Sequence, residues 1–388
     1  MNSRRYDVIV VGVGGVGSAT VAALAARGAD VLGLERFDVP NDYGESHGYT
    51  RAIRPATDEG DAAVDLLGDA YDHWRALETD HDRPLFVETG ALDIAPEGSR
   101  VLERTRRACE RHEVEYETLS RAALDERYPA FEFPDGEGTA SADGTGEFEA
   151  LYQPTGGFLV PEQCTIAHVE RAHDAGATIH ARERVTGWRS SDDGVRVDTN
   201  HDTYRADRLV LTAGAWTPDF AEELADFVTS ERHLDAWFHP RSPEAFSPAQ
   251  LPVFSLTVDD ERYDGYPTAA VPGFKLGRSR HRRERVAPDE IDREPMPEDE
   301  RILRSFAERY LPDGAGETMR LAPSIAAMTP DETPIVDTLA AGRVAVAVGF
   351  SDRRFAYAPV AAEILADLTL EGETDYEIGA FSLERFDE

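Results

Sequence analysis

The chain has 388 residues, a size for one or two domains, and 41% of them are hydrophobic, as in an ordinary globular core. The 75 acidic residues outnumber 40 basic ones, giving a formal net charge of −35, and the basic residues are 39 Arg and a single Lys. That balance repels phosphates and argues against a nucleic-acid partner; with lysine nearly absent, it predicts a halophile's surface whose carboxylates hold water in high salt.

The first predicted unit is the most informative. Residues 8–11 (VIVV) form an apolar run with no polar face, which suits a strand buried on both sides in a parallel sheet. Gly12, Gly14 and Gly17 follow at G-x-G-x-x-G spacing, then an alanine-rich helix over 18–27 closed by Gly28, then a second apolar run over 30–34 ending in Glu35. Strand, glycine turn, helix, strand and acid form the context a dinucleotide-binding turn needs. Gly12 permits the tight turn, Gly14 lets a pyrophosphate approach the backbone, and Gly17 lets helix and strand pack closely. The helix start offers unpaired N–H groups to the phosphates. Glu35 would accept hydrogen bonds from an adenosine ribose and would repel a 2′-phosphate, which disfavours NADP. The glycines alone suit NAD or FAD. Residues 8–26 carry no charge and are about long enough for a membrane span, but four glycines interrupt them, and no other stretch resembles one.

Further along, 41–54 is polar and glycine-bearing and is expected to cross the cofactor cleft as a loop, with His47 in it. Helical spacing over 61–79 puts Leu66, Leu67, Tyr71, Trp74 and Leu77 on one face. A strand is expected over 87–94, helices over 100–113 and 120–128, and an exposed acidic insertion over 132–149. A helix over 165–175 precedes strands at 178–181, 185–189, 195–198 and 204–212, the last running into Gly214 and Trp216. From 227 to 277 the chain turns rich in aromatics, proline and β-formers, with strands at 233–238, 253–258, 262–266 and 273–276 that suggest a mostly antiparallel sheet. A helix over 298–310 follows. Strand 343–348, Gly349 and a helix over 358–369 form a second strand–glycine–helix unit, so the C-terminus is expected to return to the nucleotide domain. Cys109 and Cys164 lack metal spacing and read as reduced, buried cysteines of a cytoplasmic protein.

In this order the motifs VIVVGVGGVG, SHGYTRAIR, GFLVPEQC, ADRLVLTAGAW, FKLG, TPDETPIVD and VAVGFS resemble the monomeric sarcosine oxidase and N-methyltryptophan oxidase group of FAD-dependent amine oxidases. The resemblance runs over nearly the whole chain. It implies an α/β fold in which a Rossmann-like FAD-binding domain of the glutathione-reductase type (1–85, 158–225 and 320–388) is joined by a mixed β-sheet substrate domain (86–157 and 226–319). It also implies that Gly12, Gly14, Gly17 and Glu35 hold the pyrophosphate and ribose, that Arg36 lies beside adenine, and that Val185 meets adenine through its backbone. Ser46, Thr50 and Arg51 would lie along the ribityl chain and flavin ring, Gly214 and Trp216 would line the cleft, and Gly349, Phe350 and Ser351 would lead to the pyrimidine end. Arg54 matches the arginine near the substrate carboxylate, and Lys275 the lysine that sits over the flavin and promotes its reaction with oxygen. The implied partners are a small amine or amino acid and oxygen, with no metal and no membrane, and a monomer is favoured. Lys275 also stands out unaided: a lone lysine among 39 arginines suggests a task that needs a compact ammonium. Tyr263, Tyr266 and Trp216 are candidates to face the substrate, with core packing as the bland alternative.

The departures carry their own expectations. Ser324 replaces the cysteine that links covalently to the flavin, so FAD is expected to be noncovalent. GFSDRRFA (349–356) replaces a loop ending in lysine: Ala356 stands at the lysine that pairs with the substrate carboxylate, and Asp352 and Arg354 stand where the family has glycines. Ser279 replaces an active-site histidine and Ala326 a pocket tyrosine. Arg353 or Arg354 could replace the lost carboxylate ligand, since a guanidinium binds a carboxylate bidentately. The expected activity is oxidation of a secondary or N-methylated amino acid to an imine, with oxygen reduced to hydrogen peroxide. The altered loop leaves two alternatives, a dehydrogenase using another acceptor and a flavin-binding protein with little turnover.

Overall fold

A computed structural model of the chain describes residues 5–81, 83–134 and 147–386. Its first sheet has eight strands. At its centre Arg5–Val11 runs parallel to Thr203–Leu211 on one side and to Val31–Leu34 on the other, and Val31–Leu34 runs parallel to Thr178–His180. Val344–Val348 joins the end of Thr203–Leu211 in parallel and carries antiparallel Ile335–Leu339, while a hairpin of Val185–Ser191 and Gly194–Thr199 joins its start. The apolar runs explain the arrangement: Val8, Ile9, Val10 and all five residues of Val344–Val348 are buried, as strands covered on both faces must be. Helix Gly15–Ala26 has ten of its twelve residues buried, because it packs between helices Pro161–Asp174 and Ala358–Leu370. The five parallel strands end on one edge. There the turn after Val11, Glu35, the 212–216 segment and Gly349 come together, the place where open α/β sheets bind ligands.

The second sheet has nine strands and is mostly antiparallel, its one parallel pair being Val253–Val258 with Ala91–Pro96. Helix Pro297–Tyr310 covers one face, closing a core of Phe131, Phe133, Phe148, Phe254, Phe274, Phe306 and Tyr310. A third sheet of Arg51–Ile53, Gly157–Leu159 and Phe86–Glu88 links the chain's passages between the two large ones. Cys109 and Cys164 are buried free thiols. Among the described residues no helix is long and apolar enough to cross a membrane.

Three stretches depart from the expected elements or fall outside the described residues. The strand expected over 87–94 is two strands, Phe86–Glu88 and Ala91–Pro96, because Gly90 turns the chain at φ +76° and sends the halves to different sheets. The acidic stretch 132–149 falls largely on residues 135–146, which lie outside the described part; on either side Phe133 and Phe148 are buried, and Phe148–Gln153 is a strand. The longest strand, Thr318–Met328, was not expected at all, since Pro323 and three alanines mask it. Pro323 is tolerated because this strand pairs only with Thr229–Phe238 and so lies at an edge. A domain break at 320 therefore falls inside a strand of the second sheet.

Candidate active site

The glycine turn is fixed by its neighbour strand. Gly12 has φ +93°, and a Cβ there would stand 2.4 Å from the Thr212 carbonyl oxygen; a Cβ on Gly17 would stand 1.9 Å from the Gly12 carbonyl oxygen. The Thr212 hydroxyl donates to that Gly12 oxygen at 2.8 Å, tying the turn to the next parallel strand. Gly14 differs: a Cβ there would meet only the Ser46 hydroxyl, at 3.5 Å, and would otherwise project into open space. Ser46 reaches across from the 41–50 loop and accepts from the Gly15 N–H at 2.9 Å.

That open space is a cavity of about 570 Å³. Gly12, Gly14, Glu35, Arg36, Ser46, Val185, Gly214, Trp216, Gly349 and Phe350 all line it. Gly17 lies beneath the turn and acts through packing. At one end Glu35 is buried and accepts from the backbone N–H groups of Val13 and Phe37, both at 2.9 Å; burial still raises its carboxyl above the usual range. Arg36 lies over the rings of Phe37 and Trp216 and pairs with Asp289 at 2.8 Å; the Trp216 indole N–H donates to the same carboxylate at 2.7 Å. Asp289 escaped the sequence reading because it comes from the distant 278–297 stretch.

At the other end this cavity meets a second, of about 260 Å³, and Glu45 lines both. The second cavity lies against the second sheet and is lined by Arg51, His233, Asp235, Ser351 and Arg354, with Ser279, Ser324 and Ala326 at the positions of the departures. Arg51 donates to the carbonyls of Thr50 and Glu45. Thr50 is buried beside it and lines neither cavity. His47 is buried, its Nε2 has no hydrogen-bond partner, and burial with the charge of Arg51 pushes it down to about 3, so it is neutral.

Lys275 lies behind this wall, 3% exposed, with Nζ 2.9 Å from Asp235 and 3.2 Å from the Thr50 carbonyl. Burial alone would raise Asp235, but Lys275, with His233 and Arg51, holds its carboxyl far below the usual range. The lone lysine is thus charge-compensated, and sequence reasoning missed its partner because the two residues lie on neighbouring strands, Thr229–Phe238 and Phe274–Arg278. Tyr266 flanks the ammonium at 4.8 Å, whereas Tyr263 stacks on Phe306 at 3.8 Å in the core of the second sheet. Trp216 lines the first cavity and donates to Asp289. None of these three aromatics lines the second cavity.

Arg54 also departs from expectation. It is buried, donates to the Ser255 hydroxyl at 2.7 Å, lies 3.5 Å from Asp93, and lines neither cavity. Arg354 does line the second cavity; its Nη2 pairs with Glu59 at 2.9 Å and its buried Nε has no hydrogen-bond partner. Arg353 pairs with both Asp58 and Glu59. Burial opposes ionisation of Glu59, but Arg353 and Arg354 hold it down at about 2. Ala356 is buried and its carbonyl accepts from the Trp74 indole at 2.8 Å, which fastens the loop to helix Asp61–Asp80. The Asp352 side chain lies outside the described part.

These features fit a flavin dinucleotide: a backbone cradle open at Gly14, a buried acid at one end of the cavity, and at the other Glu45, which also lines a second cavity. The comparisons with known proteins agree. Residues 7–368 match the family model described as FAD dependent oxidoreductase. Monomeric sarcosine oxidase from Bacillus sp. (strain NS-129) is 33% identical over 99% of this chain and 97% of its own. N-methyl-L-tryptophan oxidase from Yersinia pestis (strain Pestoides F) is 31% identical over 98% and 99%. Among solved structures, a variant of NikD, an unusual amino acid oxidase essential for nikkomycin biosynthesis, superposes with a TM-score of 0.82 at 25% identity, over 98% of this chain and 97% of the other. The chain belongs to the family of FAD-dependent oxidoreductases that includes monomeric sarcosine oxidase and N-methyl-L-tryptophan oxidase.

Proposed function

We propose that this enzyme oxidises a secondary or N-methylated amino acid at a carbon next to nitrogen, using noncovalent FAD and passing the electrons to oxygen. The observation that carries the reading is an arginine-lined second cavity that shares Glu45 with the nucleotide cavity. When bound, FAD supplies the redox chemistry by accepting a hydride from the substrate. The turn at Gly12, Gly14 and Gly17, Glu35, Arg36 and the Val185 backbone hold its adenosine and pyrophosphate half. Ser46, Gly214, Trp216, Gly349 and Phe350 wall its path, and Thr50, Arg51 and Ser351 frame the ring end. The family relatives are named for sarcosine and N-methyl-L-tryptophan, and the amino acid class is carried over from them.

Within the second cavity Arg354 is our candidate for the substrate carboxylate, since it lines that cavity whereas Arg54 lines neither. Arg54 is committed to Ser255 and Asp93 and supports the wall instead. The protein's share is orientation and charge; a substrate bound as the neutral amine needs no protein base. Anaerobic titration with a panel of N-methyl amino acids tests the activity: bleaching of the flavin band by one of them is expected, and no bleaching by any would sink the amino acid reading. Replacing both Arg353 and Arg354 with alanine and finding amine affinity unchanged would remove Arg354 from its role. Because Ser324 has no thiol to bind the flavin, acid precipitation should leave a yellow supernatant.

One observation favours a second reading. Asp235 cancels the charge that Lys275 would otherwise offer to developing superoxide. On that reading the enzyme is a dehydrogenase, and dye reduction would outrun peroxide formation.

A further inference from the structure

Glu45 stands at the junction of the two cavities, in a frame that accepts either charge state. Its Oε1 accepts from the Ala327 N–H at 2.7 Å and its Oε2 from the Ser351 hydroxyl at 2.8 Å. The Ser351 hydroxyl is also 3.0 Å from the Ala327 carbonyl. If Oε2 gains a proton, it can donate to Ser351 while the Ser351 hydrogen turns to Ala327, so no hydrogen bond is lost.

Among the described residues, most of the charged groups around it are held in ion pairs. From strand Arg51–Ile53 comes Arg51, whose guanidinium donates to Glu45's own carbonyl at 2.8 Å. From the 41–50 loop comes His47, held neutral by burial. The second sheet contributes the Lys275–Asp235 pair with His233 3.7 Å from Asp235, and Glu231 bound to Arg280. The 349–357 loop contributes Ser351, with Arg353 and Arg354 bound to Asp58 and Glu59, and the rim of the cavity adds Arg262 with Asp264, Arg283 with Glu261 and Arg280 with Glu332. Strand Thr318–Met328 presents no charged group toward Glu45; its cavity-lining residues are Ser324, Ile325, Ala326 and Met328. Arg51 is the cation that bears on the Glu45 carboxylate, and an ionised Glu45 offsets it. Hydride transfer from a C–H bond to a flavin at this end adds one negative charge, which would then stand beside an ionised Glu45.

We propose that Glu45 takes up one proton when the bound flavin is reduced and releases it on reoxidation. The substrate C–H delivers two electrons and one proton to the flavin; a second proton, from the amine nitrogen or from water, goes to the Glu45 carboxylate. On reoxidation by oxygen the two electrons leave with both protons, as hydrogen peroxide. Burial supports this, pushing the Glu45 carboxyl up to about 7 against the pull of Ser351, Ala327 and Arg51. The proposal rests on the flavin of the reading above and not on the amine substrate.

The test therefore uses the FAD-loaded enzyme reduced with dithionite, so that a wrong substrate class leaves it intact. The flavin midpoint potential is measured against pH across neutrality in the wild type and in Glu45→Gln. Above the pH at which Glu45 ionises in the oxidised enzyme, the wild type is expected to take up two protons per two electrons. Glu45→Gln is expected to take up one, halving the pH slope. A variant that keeps the two-proton slope, or a wild type that shows only one, overturns the proposal. A second measurement needs no variant: the reduced-minus-oxidised infrared spectrum of the wild type should gain a protonated carboxyl stretch and lose a carboxylate one. Absence of that exchange also overturns it.

Discussion

The two ends of the cofactor channel are built by different physics. The proposed adenosine end is made of backbone: a turn whose glycines leave no room for a Cβ at Gly12 and Gly17 and whose Val13 N–H finds Glu35, and a helix start whose Gly15 N–H finds Ser46. The ring end is made of buried charge arranged in pairs: Lys275 with Asp235, Arg353 and Arg354 with Glu59, Arg54 with Asp93. A backbone cradle tolerates many side chains around it and fails through a single added methyl. A charge-paired pocket tolerates reshaping but fails when one partner is removed, because the other is left desolvated. The contrast explains how one family can keep a cofactor while its members differ at the substrate.

The sharpest way to break the ring end is Asp235→Leu. It strands Lys275, 3% exposed, without its carboxylate, and a loss of about 3–5 kcal/mol in unfolding free energy is expected by chemical denaturation. The double variant Asp235→Leu with Lys275→Met should recover much of that loss, since it removes both charges. Equal destabilisation in single and double variants would show that the pair is not what holds this wall.

The matching test of the cradle is Gly17→Ala. Its Cβ would overlap the Gly12 carbonyl oxygen, an atom already fixed by Thr212. Overpacking of this kind costs about 3 kcal/mol, and we expect FAD affinity to fall by about a hundredfold. Gly14→Ala, with open space before it, should leave apoprotein stability unchanged within about 0.5 kcal/mol while still weakening FAD. Flavin fluorescence titration and thermal melts separate the two.

Between the ends lies Glu45, and its titration gives a signed prediction for the apoprotein. Its carboxyl is raised from 4.5 to about 7 in the fold. A raised pKa means that its contribution to stability is whole below 4.5 and is lost as pH climbs through about 7. Glu45→Gln cannot ionise, so it should gain on the wild type over that window, by about 3 kcal/mol at mildly alkaline pH. Parallel stability–pH curves for the two proteins would contradict this.

Legibility in the sequence follows the same division. Gly12, Gly14, Gly17 and Glu35 could be read because a local pattern within thirty residues encodes a local structure. Strands Arg5–Val11 and Val344–Val348 were legible for the same reason, from the apolar runs VIVV and VAVAV. Asp235, Glu59 and Asp289 were not, because each gains its role from a partner 40 or more residues away: Lys275, Arg354, Arg36. Arg54 was carried to the substrate by resemblance, yet Ser255 and Asp93 hold it in the wall. Thr318–Met328 was hidden for another reason: its proline is disallowed in a central strand and permitted in an edge strand, and position within a sheet is not a local property.

The smallest expected effect probes charge at the backbone-built end. Arg36 pairs with Asp289 and lies over Phe37 and Trp216, but its side chain is 22% exposed and that of Asp289 is 46% exposed. Solvent and salt weaken such a pair, and removing it should cost no more than about 1 kcal/mol. Arg36→Ala should therefore reduce FAD affinity only a few-fold at low ionic strength, and less in molar salt, where exposed charges are screened. The buried Lys275–Asp235 pair should show no comparable salt dependence, because the screening ions cannot reach it. If both variants respond to salt alike, the division between a backbone-built end and a charge-built end does not hold.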